Sequence, residues 1–169
     1  LASQRDWPKG AGLYQKMKNP FFNQKMIEWR NRFGGKSIER QSRLRDLIRE
    51  IQTGNFIFIA PDIDLGPRDS VFVPFFAVDD ACTTTGTSIL AYTSKCAIIP
   101  GSGFRNDEGK YDIIADKCIE ADYPQKDEVA AAAYMNKYVE EVILRAPEQW
   151  MWLHKRYKTM QYEHVEKGI

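Results

Sequence analysis

The run Asn55-Phe-Ile-Phe-Ile-Ala60 is apolar and β-forming almost without interruption. A strand wetted on one face alternates apolar with polar residues. A continuous run of this length instead reads as a strand covered on both faces, as in a parallel sheet. Parallel strands need crossover connections, usually helices, and the preceding chain offers them. Asn19-Pro20 pairs an N-cap with proline at the first helical position. Phe22, Met26, Trp29 and Phe33 then follow as one helical stripe, closed by Gly34-Gly35. Ser37 is placed to cap a second helix with Leu44, Leu47, Ile48 and Ile51 facing a core, and Gly54 to stop it.

Beyond the loop Pro61–Pro67, residues 70–78 read as extended chain that Pro74 keeps out of a sheet centre. Asp79 or Asp80 can cap a helix reaching Lys95, with the small residues Ala81, Thr84, Thr85, Ser88 and Ala91 on one face. Cys96–Ile99 and Tyr111–Ile119 read as strands, the second after a turn at Asp107-Glu108-Gly109. Pro124–Leu144 predicts a long helix with Ala132, Met135, Val139, Val142 and Ala146 inward, and Pro147 opens a last helix to about Tyr157. Residues 1–18 read as a connector and 160–169 as a fraying tail. The expectation is α/β: a single domain over 1–169, with a partly parallel central sheet flanked by helices.

Composition narrows the function classes. Lys and Arg number 24 and Asp and Glu 23, a net charge of +1, which argues against a globally basic nucleic-acid binder. Cys82, Cys96 and Cys118 are widely spaced, and His154 and His164 are the two histidines. That set predicts neither a disulfide framework nor a metal cage. The chain has no run of about 18 apolar residues, so no helix is expected to span a membrane. It begins with Leu1, as expected of a piece of a longer product.

Three constellations could carry chemistry. Asp62 and Asp64 leave the apolar strand two residues apart and so share a side in extended chain. Such a pair needs donors or cations. Arg30 and Arg32, near the end of the first helical stripe, are the expected partners, and either suits a phosphate equally well; Arg68 follows the acids. Strand-Asp-x-Asp resembles haloacid-dehalogenase-like phosphatases, where the first acid is the nucleophile, and metal-dependent glycosyltransferases. The third constellation is Trp150, Trp152 and Leu153 beside His154, Lys155, Arg156 and Lys158. It suits a packed terminal helix, a membrane interface or single-stranded nucleic acid; a membrane or headgroup contact through Trp150, Trp152, Lys155, Arg156 and Lys158 is the expectation carried forward.

Several segments in order carry a more specific resemblance: Asp62-Ile-Asp-Leu-Gly-Pro-Arg-Asp-Ser-Val-Phe-Val-Pro-Phe-Phe-Ala77, Ala81-Cys-Thr-Thr-Thr-Gly-Thr87, Met135-Asn136, Pro147-Glu-Gln-Trp-Met-Trp-Leu-His154 and Lys155-Arg-Tyr-Lys-Thr159. From about Leu13 to Thr159 the chain resembles the late acyltransferases of lipid A biosynthesis, the lauroyl/myristoyl transferase family of Gram-negative bacteria. Gln15 and Met160-Gln161 depart from that pattern, where Arg and Arg-Pro are usual.

The resemblance implies a glycerophosphate-acyltransferase-like α/β sandwich. It also implies transfer of a fatty acyl chain from acyl carrier protein to a hydroxyl of a lipid A precursor. The setting would be the cytoplasmic face of the inner membrane, with no metal or redox cofactor. Catalysis in the family rests on His-x-x-x-x-Asp/Glu, with the histidine as general base. That motif is absent here: Thr159 stands five residues after His154 and Ile169 five after His164. No catalytic residue is therefore assigned, and the chain looks like the C-terminal portion of such an enzyme, incomplete at its N-terminus. Arg30, Arg32, Asp62, Asp64 and Arg68 are its supporting or substrate-binding candidates. Two alternatives stand beside this reading: a non-catalytic lipid-binding or interaction module of the same fold, and the phosphatase built on Asp62 and Asp64.

Overall fold

The structure, a computed structural model, describes residues 9–40 and 44–159. The chain divides into two units, Leu1–Ile59 and Ala60–Ile169.

The first unit is built on three parallel strands. β1 (Gly10–Tyr14) lies between β2 (Lys36–Glu39) and β3 (Phe56–Phe58), and pairs in parallel with both. Strand β1 falls inside the segment expected to be a connector. Its sequence, GAGLY, is too short and too rich in glycine to show a period of two, and its place comes from its two neighbours. Gly10 suits that place, because the Phe56 ring lies where a side chain would project: an added Cβ would sit 2.3 Å from it.

α1 (Pro20–Asn31) joins β1 to β2 and begins as the sequence predicts. The Asn19 side chain accepts from the backbone N–H groups of Phe21 (3.0 Å) and Phe22 (3.3 Å). Its aromatic stripe is not a core, since Phe22, Trp29 and Phe33 are all exposed. Ser37 is not a helix cap. It sits in β2 and donates to Asn31 Oδ1 at 2.9 Å. α2 (Leu44–Gln52) buries Leu47 and ends at Gly54, whose φ of +83° is a left-handed conformation that glycine adopts without strain. β3 is parallel, as its composition predicts, but it is a sheet edge with Phe56 and Phe58 exposed.

The second unit centres on an antiparallel hairpin of β4 (Ser70–Phe75) and β5 (Val78–Thr84). Pro74, which cannot donate to a ladder, sits where the register shifts between Val73 and Phe75. The expected helix from Asp79 to Lys95 divides in two. Residues 78–84 form β5, whose threonines favour a pleated strand, and the helix proper, α3, is Gly86–Ser94. Cys96–Ile99 is loop rather than strand. β6 (Gly101–Arg105) and β7 (Tyr111–Ala115) form a second hairpin.

α4 (Glu128–Arg145) is the long helix expected there, its first turn capped by the Asp127 carboxylate. It serves two cores. Ala131 and Met135 pack with Ala91 and Tyr123, while Val139 and Ile143 pack with Phe75 and Ala81. After α4 the expected helix to Tyr157 does not form. A single 3-10 turn, Pro147–Gln149, is followed by irregular chain whose side chains reach back to the hairpin. The parallel sheet and flanking helices make this a mixed α/β structure.

Candidate functional site

The polar residues of the second unit converge where this irregular segment meets the loop before β4, the β4–β5 hairpin and α4. Asp64 is the anchor, 1% exposed. Its Oδ1 accepts from the Gly66 N–H (2.8 Å) and the Thr159 hydroxyl (3.0 Å), and its Oδ2 from the Thr159 N–H (2.9 Å). The first contact closes an Asx-type turn, the local bond expected of an acid beside Gly-Pro. The other two fasten the chain across 95 residues of sequence. Asp62, two residues earlier, accepts from the Trp150 indole N–H at 3.0 Å.

His154 lies in the same weave. Its Nε2 accepts the Asp64 backbone N–H at 3.0 Å, so that nitrogen carries a lone pair directed into the protein. A histidine so engaged is not poised to take a proton from a substrate hydroxyl.

Arg156 is the largest of the fully buried side chains, 2% exposed. It donates to the Cys82 carbonyl at 2.6 Å and to the Thr83 hydroxyl at 2.9 Å, and its guanidinium carbon stands 4.6 Å from the centroid of the Phe75 ring. Asn136, on the buried face of α4, completes the cluster by donating to the Pro74 carbonyl (2.8 Å) and to Thr83 Oγ1 (3.0 Å). Burial pulls the Arg156 guanidinium below its ordinary pKa, and the Asp64 carboxylate is the largest influence opposing that shift. Burial also pushes the Cys82 thiol up, and its Sγ donates to the Gly66 carbonyl.

Within the second unit the hydrogen bonds to Asp62 and Asp64 thus come from Trp150, Gly66 and Thr159, and the guanidinium that Asp64 influences is that of Arg156. Arg30 and Arg32 belong to the first unit and are exposed, Arg32 standing over the Phe33 ring; Arg68 is exposed on the loop after the acids. Arg156, expected at a lipid headgroup, is instead interior scaffold. Trp150 is half-buried against Phe75, whereas Trp152, Lys155 and Lys158 are exposed. His164 lies outside the described residues.

The sequence reading missed Thr83 and Asn136 as members of the cluster. A signal existed for Asn136: it takes a turn of the inward stripe Ala132–Asn136–Val139–Ile143, where a polar side chain needs buried partners. In the phosphatase reading the nucleophile would be the first acid, Asp62, whose Oδ2 is held by the Trp150 indole; Asp64, the second, has both oxygens engaged and is closed to solvent. The arrangement supplies a rigid polar clasp that fixes the segment after α4 to the hairpin.

Residues 3–159 match the bacterial lipid A biosynthesis acyltransferase family. The chain belongs to this family. It is 42% identical over 155 residues to the lipid A biosynthesis lauroyltransferase of Escherichia coli K12, an alignment covering 89% of this chain and 49% of that protein. It is 37% identical to the palmitoleoyltransferase of the same organism (88% and 50% covered) and 28% identical to its myristoyltransferase (98% and 50% covered). The chain therefore spans about half the length of the curated relatives it matches. The segments from Asp62 to Thr159 that carried the resemblance are those the clasp ties together.

Proposed function

We propose that this chain is the acceptor-binding side of a lipid A acyltransferase. The observation that carries the reading is the family match across residues 3–159, supported by 42% identity to a lauroyltransferase. The reaction would be an ester-forming transfer. The hydroxyl oxygen of the lipid A precursor attacks the thioester carbonyl of an acyl carrier protein. The carbon–sulfur bond breaks, and the hydroxyl proton ends on the departing thiol. A histidine base steered by an acid is the group such a step needs.

Within this chain His154 is followed at the fifth position by Thr159, not an acid, and its Nε2 is taken by Asp64. The base would therefore come from residues outside 1–169. Arg30, Arg32 and Arg68 are exposed cations available to acceptor phosphates. In this reading the transfer would need no metal or redox cofactor and would take place at the cytoplasmic face of the inner membrane.

The test is labelled acyl transfer from acyl carrier protein to a lipid A precursor. The gene product that carries this chain is expected to turn over, and residues 1–169 alone to fall short by about 10²–10⁴-fold for want of a base. Normal turnover by residues 1–169 would place the base within them. No transfer by the gene product would overturn the acyltransferase reading in favour of a lipid-binding module.

A further inference from the structure

The segment after α4 alternates in a way its composition alone does not reveal. Trp150, His154 and Arg156 turn inward, onto Asp62, the Asp64 N–H and the Cys82 carbonyl respectively. The residues between them turn outward. Met151 is 69% exposed, Trp152 65% and Leu153 96%, three consecutive apolar side chains on a turn. The Trp152 indole N–H is already satisfied by the Pro147 carbonyl at 2.7 Å, so its ring leaves no unmet donor if it enters an apolar phase. Lys155 and Lys158, also exposed, follow the tip, and Glu148 is the one acidic residue in the segment 147–159.

We propose that Met151, Trp152 and Leu153 form a prefastened tip that inserts into the surface of an anionic lipid bilayer, with Lys155 and Lys158 held at the headgroups. The inference rests on the membrane setting proposed above and assigns it to a particular loop. Two features single out a lipid surface over a protein partner. The apolar tip stands beside cations with almost no acidic relief, the complement of a negatively charged interface. The tip is also held rigidly from beneath by the buried clasp, so little conformational freedom is lost on insertion.

Vesicle binding decides the matter without reference to acyl transfer, so its failure and that of the enzymatic reading are separable. The chain would be sedimented with vesicles of phosphatidylcholine alone and of phosphatidylcholine with one third phosphatidylglycerol, across a salt series. Binding should favour the anionic vesicles and weaken with salt. Each lysine near such a surface contributes about fivefold, so Lys155→Glu with Lys158→Glu should weaken binding by about 25-fold or more. Leu153→Asp should cost about tenfold or more. Brominated lipid should quench tryptophan fluorescence in the parent and much less in Trp152→Phe. All these positions are exposed, and unchanged thermal unfolding would verify that the variants fold. Absence of binding overturns the proposal. So does binding that depends on the lysines but not on Leu153, since that would be surface attraction without insertion.

Discussion

Arg156 offers the sharpest test of how the second unit is held together. Replacing it with alanine removes a long hydrogen bond to Asn136 Oδ1 (3.4 Å) and two shorter ones from a charged donor, to the Cys82 carbonyl and the Thr83 hydroxyl, the shorter two each worth about 1.5–3 kcal/mol. It also removes the stacking on Phe75, about 1–2 kcal/mol in a desolvated place. Against this, the guanidinium no longer has to be stripped of water, a penalty of several kcal/mol per buried ion. Its Nε, a buried donor with no partner among the described residues, is removed as well. The net loss should be about 3 kcal/mol, at the low end for breaking a buried charged cluster.

Arg156→Met keeps most of the volume and removes the desolvation penalty. It leaves the Cys82 carbonyl unpaired on that side, for a loss of about 1–2 kcal/mol. Arg156→Lys keeps the charge but not the planar fork, and should fall between them. Urea unfolding of the three variants measures this order, provided the slope with denaturant is unchanged. A methionine variant as unstable as the alanine one would refute the reasoning, because charge and geometry rather than filled space would then dominate. An alanine variant within about 1 kcal/mol of the parent would refute the clasp itself.

Asp64→Asn should cost about 2–4 kcal/mol, because whichever oxygen becomes an amide then faces a backbone N–H of Gly66 or Thr159. In a double-mutant cycle with Arg156→Met the combined loss should fall short of the sum by about 0.5 kcal/mol or more, and strict additivity would deny the electrostatic link. Lys95→Gly at the left-handed end of α3 (φ 53°, ψ 40°) should raise stability by up to about 1 kcal/mol, read as a shift in the urea midpoint. Burial pushes the Tyr123 hydroxyl up to about 12 from its ordinary 10. The folded state then holds its proton where the unfolded chain releases it. This contribution is intact below pH 10 and is lost as pH rises towards about 12. Tyr123→Phe should flatten that part of the stability profile, measured by urea unfolding at stepped alkaline pH.

Elements announced by local chemistry were legible in the sequence. Asn19-Pro20 fixed the start of α1 and Gly54 the end of α2, because capping and left-handed turns are short-range events. The stripe of Pro124–Leu144 marked α4, and Pro74 marked an irregular ladder. Sites where partners come from far along the chain were not legible. Strand β1 carries no period of its own, and Ser37 resembled a cap until parallel pairing placed it in β2. The threonines after Asp80 have strand propensity, but their register against β4 settled the matter.

The same division holds for the candidate site. By itself the sequence determined the family, through motifs spread from Asp62 to Thr159, and the absence of a histidine followed at the fifth position by an acid. Only the tertiary structure decided what those motif residues do. In sequence Arg156 stands between exposed-looking neighbours in a basic run, and Asp64 beside a second acid, so each looked available to a ligand. In the fold both lie inside, fastened by groups 74 and 95 residues away. A charge is buried when other chain segments supply its hydrogen bonds, and that supply depends on how distant segments meet.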